Sequence, residues 1–161
     1  DVLGTDGTSD AQGDYGKGRA AYLPEVVPKA PLPERGDYYT VDNRYWHLPE
    51  NMDDVLGALR WCLNGRPSVE VDAGLNVAVE ICERQVPHLL ILHAVNYDLK
   101  RVLTDVPVSL KLPDGATVRS VRVLSPGDGG DLEVACVTDG GRLSFSLPEL
   151  KIYAVARISL E

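Results

Sequence analysis

The chain has 161 residues and is 44% hydrophobic, and its 16 basic and 24 acidic residues give a formal net charge of −8. This length suits one domain, or a small domain with part of another. The negative charge excludes the basic surface with which proteins bind nucleic acid, and it argues against binding to anionic membranes. No stretch approaches the roughly 18 consecutive apolar residues of a membrane-spanning helix.

The cysteines are few and irregularly spaced. Cys62, Cys82 and Cys136 are odd in number and form no CxxC motif, which predicts small buried hydrophobes rather than a disulfide framework or a zinc site. Unpaired cysteines favour a reducing compartment and hence the cytoplasm. A chain that opens at Asp1 without Met indicates a piece of a longer polypeptide.

The first 50 residues are rich in helix breakers. Residues 1–18 carry five glycines among Asp, Ser and Thr, which predicts a loop. Residues 19–23 form a short strand candidate that ends at Pro24. Five prolines between residues 24 and 49 exclude a long helix there and predict an extended segment that lies on another surface.

Residues 51–64 show the periodicity of an amphipathic helix, with Asn51 as a candidate N-cap and acidic residues in the first turn. Gly65 and Pro67 are expected to end it. Its apolar side needs a sheet or another domain to pack on. The positions of that apolar stripe are Met52, Val55, Leu56, Leu59, Cys62 and Leu63.

From residue 68 onward the hydrophobic period changes to two. About eight strand candidates follow at intervals of roughly 8–12 residues without a helix between them, which is typical of an antiparallel sandwich. Residues 88–97 are nearly all apolar and predict a central strand covered on both faces. Val118 and Val121 are out of phase with simple alternation, which predicts a β-bulge. The turn signals are PDG at 113–115 and DGG at 139–141.

The predicted fold class is therefore mainly β. It is an antiparallel immunoglobulin-like β-sandwich of about eight strands over residues 67–161, preceded by one amphipathic helix and an extended N-terminal segment over residues 1–66.

Residue types that carry chemistry are scattered. The histidines His47, His88 and His93 have no metal-ligand spacing, and the last two, five apart in one strand, are expected on opposite faces as structural or exposed residues. No GxSxG motif surrounds a serine, and most aspartates lie in turn sequences. The sequence thus predicts no catalytic residue, no metal site and no cofactor.

Aromatic residues concentrate before the sandwich, with seven of the ten between residues 15 and 61. The candidate ligand-binding residues are Tyr38, Tyr39, Tyr45, Trp46 and His47. Such a cluster can stack on sugar rings, which makes a carbohydrate-binding module one hypothesis. The same cluster can instead pin an extended segment to a neighbouring surface. A protein–protein adaptor with an exposed apolar patch is a third hypothesis.

Five segments, in order along the chain, carry a family resemblance. They are GKGRAAYLP at 16–24, HAVNY at 93–97, VPVSLKLP at 106–113, VLSP at 123–126 and FSLPELKIY at 145–153. The first resembles the strand that closes the flavodoxin-like domain of glycoside hydrolases of the β-galactosidase, trimerisation-domain type. The other four are similar to strands and a turn of the C-terminal sandwich in the same family.

This resemblance implies a non-catalytic C-terminal accessory domain of a glycoside hydrolase, with residues 1–66 as the end of the preceding domain. The family's two catalytic glutamates belong to an upstream (β/α)8 barrel, which no part of this chain matches. The implied partners are the upstream catalytic domain and, through oligomerisation, further copies of the protein. His93, Asn96 and Tyr97 are then structural residues at the end of a strand, where a buried polar side chain needs hydrogen-bond partners.

Overall fold

The structure is a computed structural model that describes residues 11–23, 25–30, 47–64, 66–126 and 130–161. The chain divides into two compact units, Asp1–Pro67 and Ser68–Glu161. Within the described residues, no helix is long and apolar enough to cross a membrane.

In the first unit a hairpin contacts a helix. The hairpin consists of β1 (Ala11–Tyr15) and β2 (Gly18–Tyr22), and the helix is α1 (Met52–Cys62). Arg19 of β2 donates a hydrogen bond from Nη1 to the Trp61 carbonyl oxygen at 3.1 Å, and its guanidinium lies 5.0 Å from the centroid of the Trp61 ring. This cation–π contact ties the hairpin to the last turn of the helix.

The prediction of a strand at residues 19–23 is confirmed by β2, whereas the prediction of a loop over 11–18 is wrong. Gly16 adopts a positive φ of 59°, a conformation that costs glycine little, so the glycine-rich stretch can turn and pair with β2. Residues 1–10 lie outside the described part of the chain.

The predicted helix is confirmed with slightly shorter ends, but its N-cap works differently. The side chain of Asn51 makes no capping hydrogen bond to the helix. Its Oδ1 accepts from the amide of Val27 at 2.9 Å and its Nδ2 donates to the Glu25 carbonyl at 2.9 Å. The Asn51 side chain therefore fastens the extended segment rather than the first turn, and residues 25–30 and 47–50 contain neither helix nor strand.

The predicted apolar stripe of α1 is only partly covered. Leu59 and Leu63 are 53% and 50% exposed, while Ala58 is the buried residue of the helix. At the C-terminal end Asn64 takes the left-handed conformation (φ 56°), a position expected of Gly65 and one that asparagine tolerates well.

The second unit is a sandwich of two antiparallel sheets, which confirms the predicted fold class. One sheet has four strands in the order β3-β6-β10-β9, and the other has five in the order β4-β5-β11-β7-β8. The strands are β3 (Val69–Val71), β4 (Val77–Arg84), β5 (Leu89–Asn96), β6 (Leu103–Lys111), β7 (Val118–Ser125), β8 (Gly130–Val134), β9 (Cys136–Asp139), β10 (Arg142–Leu150) and β11 (Tyr153–Leu160).

The inner faces of the two sheets form the core of this unit. Alternate residues of β5, β6, β7, β10 and β11 are buried, and the largest fully buried side chains are Leu92, Leu110, Leu143, Leu147, Leu150, Ile158 and Val121. Burying one such side chain stabilises the fold by about 1.5–3 kcal/mol. Strand β5 lies inside its sheet, between β4 and β11, but its outer face, which carries Ile91 and Val95, is half-buried rather than fully covered as predicted.

The second unit has nine strands among its described residues, where about eight were predicted, because one predicted strand is two shorter strands that belong to different sheets. Residues 132–136 read as one alternating face in the sequence, yet β8 pairs with β7 and β9 pairs with β10. The change of sheet occurs at Ala135, which lies between the two strands. The following turn is confirmed, with Gly140 and Gly141 both at positive φ as a two-residue hairpin requires.

The predicted β-bulge is confirmed in β7. Ser159 of β11 pairs with Ser120, but the next residue, Leu160, pairs with Val118. Arg119 is the extra residue that the ladder skips. The bulge lets Val118 pack against the core in spite of its phase difference from Val121, which is fully buried.

The cysteines differ from the prediction of buried hydrophobes. All three are free thiols, but Cys82 is exposed and Cys62 and Cys136 are half-buried. Cys82 lies in β4, an edge strand of the five-stranded sheet, and its partner Ile91 is itself only half-buried. A place on the outer face of an edge strand explains why this cysteine reaches solvent.

Asn96 ends β5 and is the buried polar residue among the described residues, at 2% exposure. Its Nδ2 lies 2.7 Å from the Arg101 carbonyl, 3.2 Å from that of Lys151 and 3.4 Å from that of Leu150, and its Oδ1 accepts from the Asp98 amide at 2.9 Å. One side chain thus joins the end of β5 to the following loop and to the β10–β11 connection.

Replacing Asn96 with leucine is expected to lower the free energy of unfolding by about 3 kcal/mol, because carbonyl groups that lose their donor stay buried. Urea unfolding measures the change. The matched control is Asn76→Leu, at an exposed position, where a change under about 0.5 kcal/mol is expected. An unchanged melting temperature for Asn96→Leu would contradict a structural role.

Candidate functional site

The aromatic cluster predicted to bind ligand lies mostly outside the described residues. Four of its five members lie outside the described residues, namely Tyr38, Tyr39, Tyr45 and Trp46. The fifth, His47, is exposed and belongs to neither a helix nor a strand. The cluster therefore stays a prediction.

The two histidines of the sandwich are each bound by a neighbouring side chain. His93 projects from the outer face of β5, where its Nδ1 lies 2.6 Å from the Tyr153 hydroxyl and the two rings stack at 6.1 Å. His88 lies just before β5, with its Nε2 3.0 Å from Glu83 Oε1. Both contacts fix the orientation of the ring, and neither histidine is hydrogen-bonded to a serine or cysteine.

A groove of about 680 Å³ lies on the outer face of the four-stranded sheet. Adjacent strands build it because register places Glu70 beside Ser109, and Ser109 beside Ser144. The residues that line it are Glu70, Asp72, Asp105, Pro107, Val108, Ser109, Val134, Ala135, Cys136, Val137, Ser144, Phe145, Ser146 and Pro148.

Arg142, on the same face of β10 as Ser144, holds polar residues that line this groove. Its side chain is only 14% exposed. Its Nε donates to Ser109 Oγ at 3.0 Å, and its Nη2 lies 3.2 Å from the Ser109 carbonyl and 3.3 Å from Glu70 Oε2. The guanidinium thereby holds Ser109 and Glu70 in place and offsets the charge of the Glu70 carboxylate.

One end of the groove carries backbone strain and negative charge. Asp105 has a positive φ of 51° within β6, and the β6–β10 pairing passes from Val106 to Thr104 without it. Aspartate tolerates this conformation better than most residues. Asp105 lines the groove together with Asp72 and Glu70, so three carboxylate residues belong to the lining.

This lining favours hydrogen bonding over covalent chemistry. Serine hydroxyls and carboxylates over an apolar floor can bind hydroxyl groups of a ligand. The aromatic residue of the lining, Phe145, is only 6% exposed and offers no stacking platform. Within the described residues, no group of three or more His, Cys, Asp or Glu side chains is arranged to hold a metal ion.

A separate cluster of charges lies on the outer face of the five-stranded sheet. Arg122 Nε donates to Asp131 Oδ1 at 2.8 Å, and Arg122 Nη1 lies 3.5 Å from Glu133 Oε2. The hydrogen bond from Arg122 is the main cause that holds the pKa of Asp131 below its usual value, and Arg157 adds a weaker lowering effect. The same bond raises the pKa of Arg122. All of this is surface ion pairing, which contributes little to stability.

The groove was not predicted from the sequence, although the sequence of β10 contains one sign of its polar surface. In β10 the serines Ser144 and Ser146 alternate with buried Leu143, Phe145 and Leu147, which marks a polar outer face. The alternation does not say which strands lie beside β10. Only the folded structure shows that β6 and β9 flank β10 and that β6 in turn pairs with β3, which carries Glu70.

Comparison with known proteins shows a likeness of fold. No protein-family model and no curated protein sequence matches the chain. The α-L-fucosidase isoenzyme 2 from Paenibacillus thiaminolyticus is similar over 68% of this chain, with a TM-score of 0.59 and 20% identity. A cycloisomaltooligosaccharide glucanotransferase from Paenibacillus sp., solved with cycloisomaltoheptaose, aligns over 71% of this chain with a TM-score of 0.37 and 15% identity.

The chain spans 18% of the length of that fucosidase and 22% of that of the glucanotransferase. About two thirds of this chain therefore has a fold similar to that of a small part of that fucosidase.

Replacing Arg142 with methionine is expected to cost about 2 kcal/mol of unfolding free energy, because Ser109 and Glu70 lose a half-buried charged donor. A double-mutant cycle with Glu70→Gln is expected to give a coupling of about 1 kcal/mol. The control cycle, Arg122→Met with Glu133→Gln, joins more exposed groups and is expected to stay below about 0.5 kcal/mol. Equal couplings would contradict an organising role for Arg142.

Replacing Arg122 with glutamine is expected to raise the pKa of Asp131 towards its usual value, and Arg157→Gln is expected to raise it less. Carboxyl carbon NMR titration of each variant measures both. Because the folded-state pKa is lowered, the pair stabilises the fold above the unfolded-state pKa, and that contribution disappears as the pH falls through the folded-state value. A larger shift in Arg157→Gln than in Arg122→Gln would contradict the hydrogen bond as the main cause.

Proposed function

We propose that this chain is a non-catalytic accessory domain of a carbohydrate-active enzyme, a glycoside hydrolase resembling the β-galactosidase, trimerisation-domain type. The observation that carries the proposal is the likeness of the sandwich to a portion of an α-L-fucosidase several times its length. The five family-like segments support the same proposal. In this proposal residues 1–66 are the end of the preceding domain, and residues 67–161 are the accessory sandwich.

The arrangement of reactive groups supports a role without catalysis. A glycosidase needs an acid and a second carboxylate on opposite sides of a bound sugar. Asp72 and Asp105 instead lie at one end of an open groove. In the described part of the chain, His88 is bonded to a glutamate and His93 to a tyrosine, and neither is hydrogen-bonded to a serine or cysteine that it could activate.

The proposed partner is the upstream catalytic domain of the same polypeptide, with homo-oligomerisation as the other supporting role. The outer face of β5 and β11 is suited to such contacts because it is less polar than a solvent-exposed face should be. Antiparallel sheets usually present polar residues to solvent. Here Ile91, Val95 and Val155 are half-buried apolar residues on that face. Apolar surface of this kind marks interaction sites.

The test is hydrolysis and binding by the full chain. We expect no turnover of a panel of nitrophenyl glycosides and no saturable binding on an array of neutral glycans, with a folded chain by circular dichroism. Turnover that depends on Asp72 or Asp105 would overturn the proposal.

The array also decides between the accessory role and the alternative of a carbohydrate-binding module. Saturable binding that is lost in Trp46→Ala and kept in Tyr15→Ala would establish the module built on the aromatic cluster. Tyr15 is the matched control because it is an aromatic residue of β1 with 83% exposure. Binding that survives both substitutions would overturn the accessory role and place the sugar elsewhere on the chain.

A further inference from the structure

A smaller cavity at one end of the five-stranded sheet contrasts in charge with the rest of the protein. It measures about 320 Å³ and lies on β7, β11 and the segment before β5. Its polar lining is formed by Arg119, Arg157, Ser120, Ser159 and His88, with an apolar wall that includes Pro87 and Leu160. No acidic residue lines it among the described residues, although the chain has 24 acidic and only 16 basic residues.

The bulge in β7 is what brings Arg119 into this cavity. Strict alternation from the buried residues Val121 and Val123 would direct residue 119 towards the core. Because the ladder skips Arg119, the arginine is exposed and lines the same cavity as Ser120, its neighbour in the chain. Bulges often redirect a side chain at functional sites.

The two serines complete a set of donors around the cavity. Ser120 and Ser159 are direct partners across β7 and β11, and both are half-buried. Arg157 lies two residues before Ser159 on the same outer face of β11. Two arginines and two serines of adjacent strands thus line one cavity. Guanidinium and hydroxyl groups are donors that oxyanions prefer.

Competition for these donors within the protein is weak. The Arg119 side chain has no hydrogen bond or ion pair with the described residues, and Arg157 affects Asp131 only through a longer-range charge interaction. Asp131 is held by Arg122. His88 is already paired with Glu83, so it counts as part of the wall rather than as a donor.

We propose that this cavity is a binding site for the oxyanion group of a small ligand, a carboxylate, sulfate or phosphate held by Arg119 and Arg157 and by the hydroxyls of Ser120 and Ser159. The site goes beyond the accessory role and does not depend on it. An acidic sugar would satisfy both the site and a carbohydrate-active parent, whereas a neutral sugar would not satisfy the site.

The test is titration of the full chain with sodium sulfate, sodium phosphate and sodium glucuronate, each at ionic strength matched with sodium chloride. Backbone amide NMR of Ser120 and Ser159 reports the site, and isothermal calorimetry gives the affinity. Glucose is the neutral arm. We expect saturable shifts at both serines with at least one oxyanion and none with glucose or chloride, and the ranking of the three anions identifies the ligand class.

Arg119→Gln is expected to weaken the binding about tenfold, as the loss of one charged hydrogen-bond donor implies. Arg157→Gln should do the same and serves if the first variant perturbs the bulge. The matched control is Arg101→Gln, an exposed arginine beyond the opposite end of β5, with affinity unchanged. No saturable shift with any oxyanion, or equal affinity in Arg119→Gln and the control, would overturn the proposal.

Discussion

The mutual burial of two sheet faces is the constraint on which the second unit depends. Every inner position of β5, β6, β7, β10 and β11 that is buried carries an apolar side chain except Asn96. That exception is possible because carbonyl groups of the adjoining connections accept from its amide. Because the inner faces are buried against each other, a ligand can reach only the outer faces. Both candidate sites lie on outer faces.

Period-two alternation predicts strands well when one face is buried, and it predicted most of this sandwich. It failed at two places for physical reasons. Residues 11–15 pair with β2 although they lie in a glycine-rich stretch without an apolar pattern, because cross-strand hydrogen bonds form between backbone groups whatever the side chains are. At Ala135 the alternation continues while the chain changes sheets, since residues on either side still face the same core.

The candidate sites were less predictable because their residues meet through register. Arg142 and Glu70 are 72 residues apart in sequence, and only the order β3-β6-β10 brings them together. The bulge is different. Its presence follows from the phase of Val118 and Val121 alone, yet the cavity it helps to form requires the identity of the opposite residue, Ser159, which depends on β11 pairing with β7.

The net charge of −8 and an arginine-lined cavity are compatible because they act over different distances. At 0.1 M salt, charges more than about 10 Å apart are largely screened, so the acidic surface as a whole repels an anion only weakly. Hydrogen bonds from Arg119 and Arg157 would act at contact, where screening is small. Affinity for an oxyanion is therefore determined by the local donor set, and the acidic background mainly slows the approach at low ionic strength.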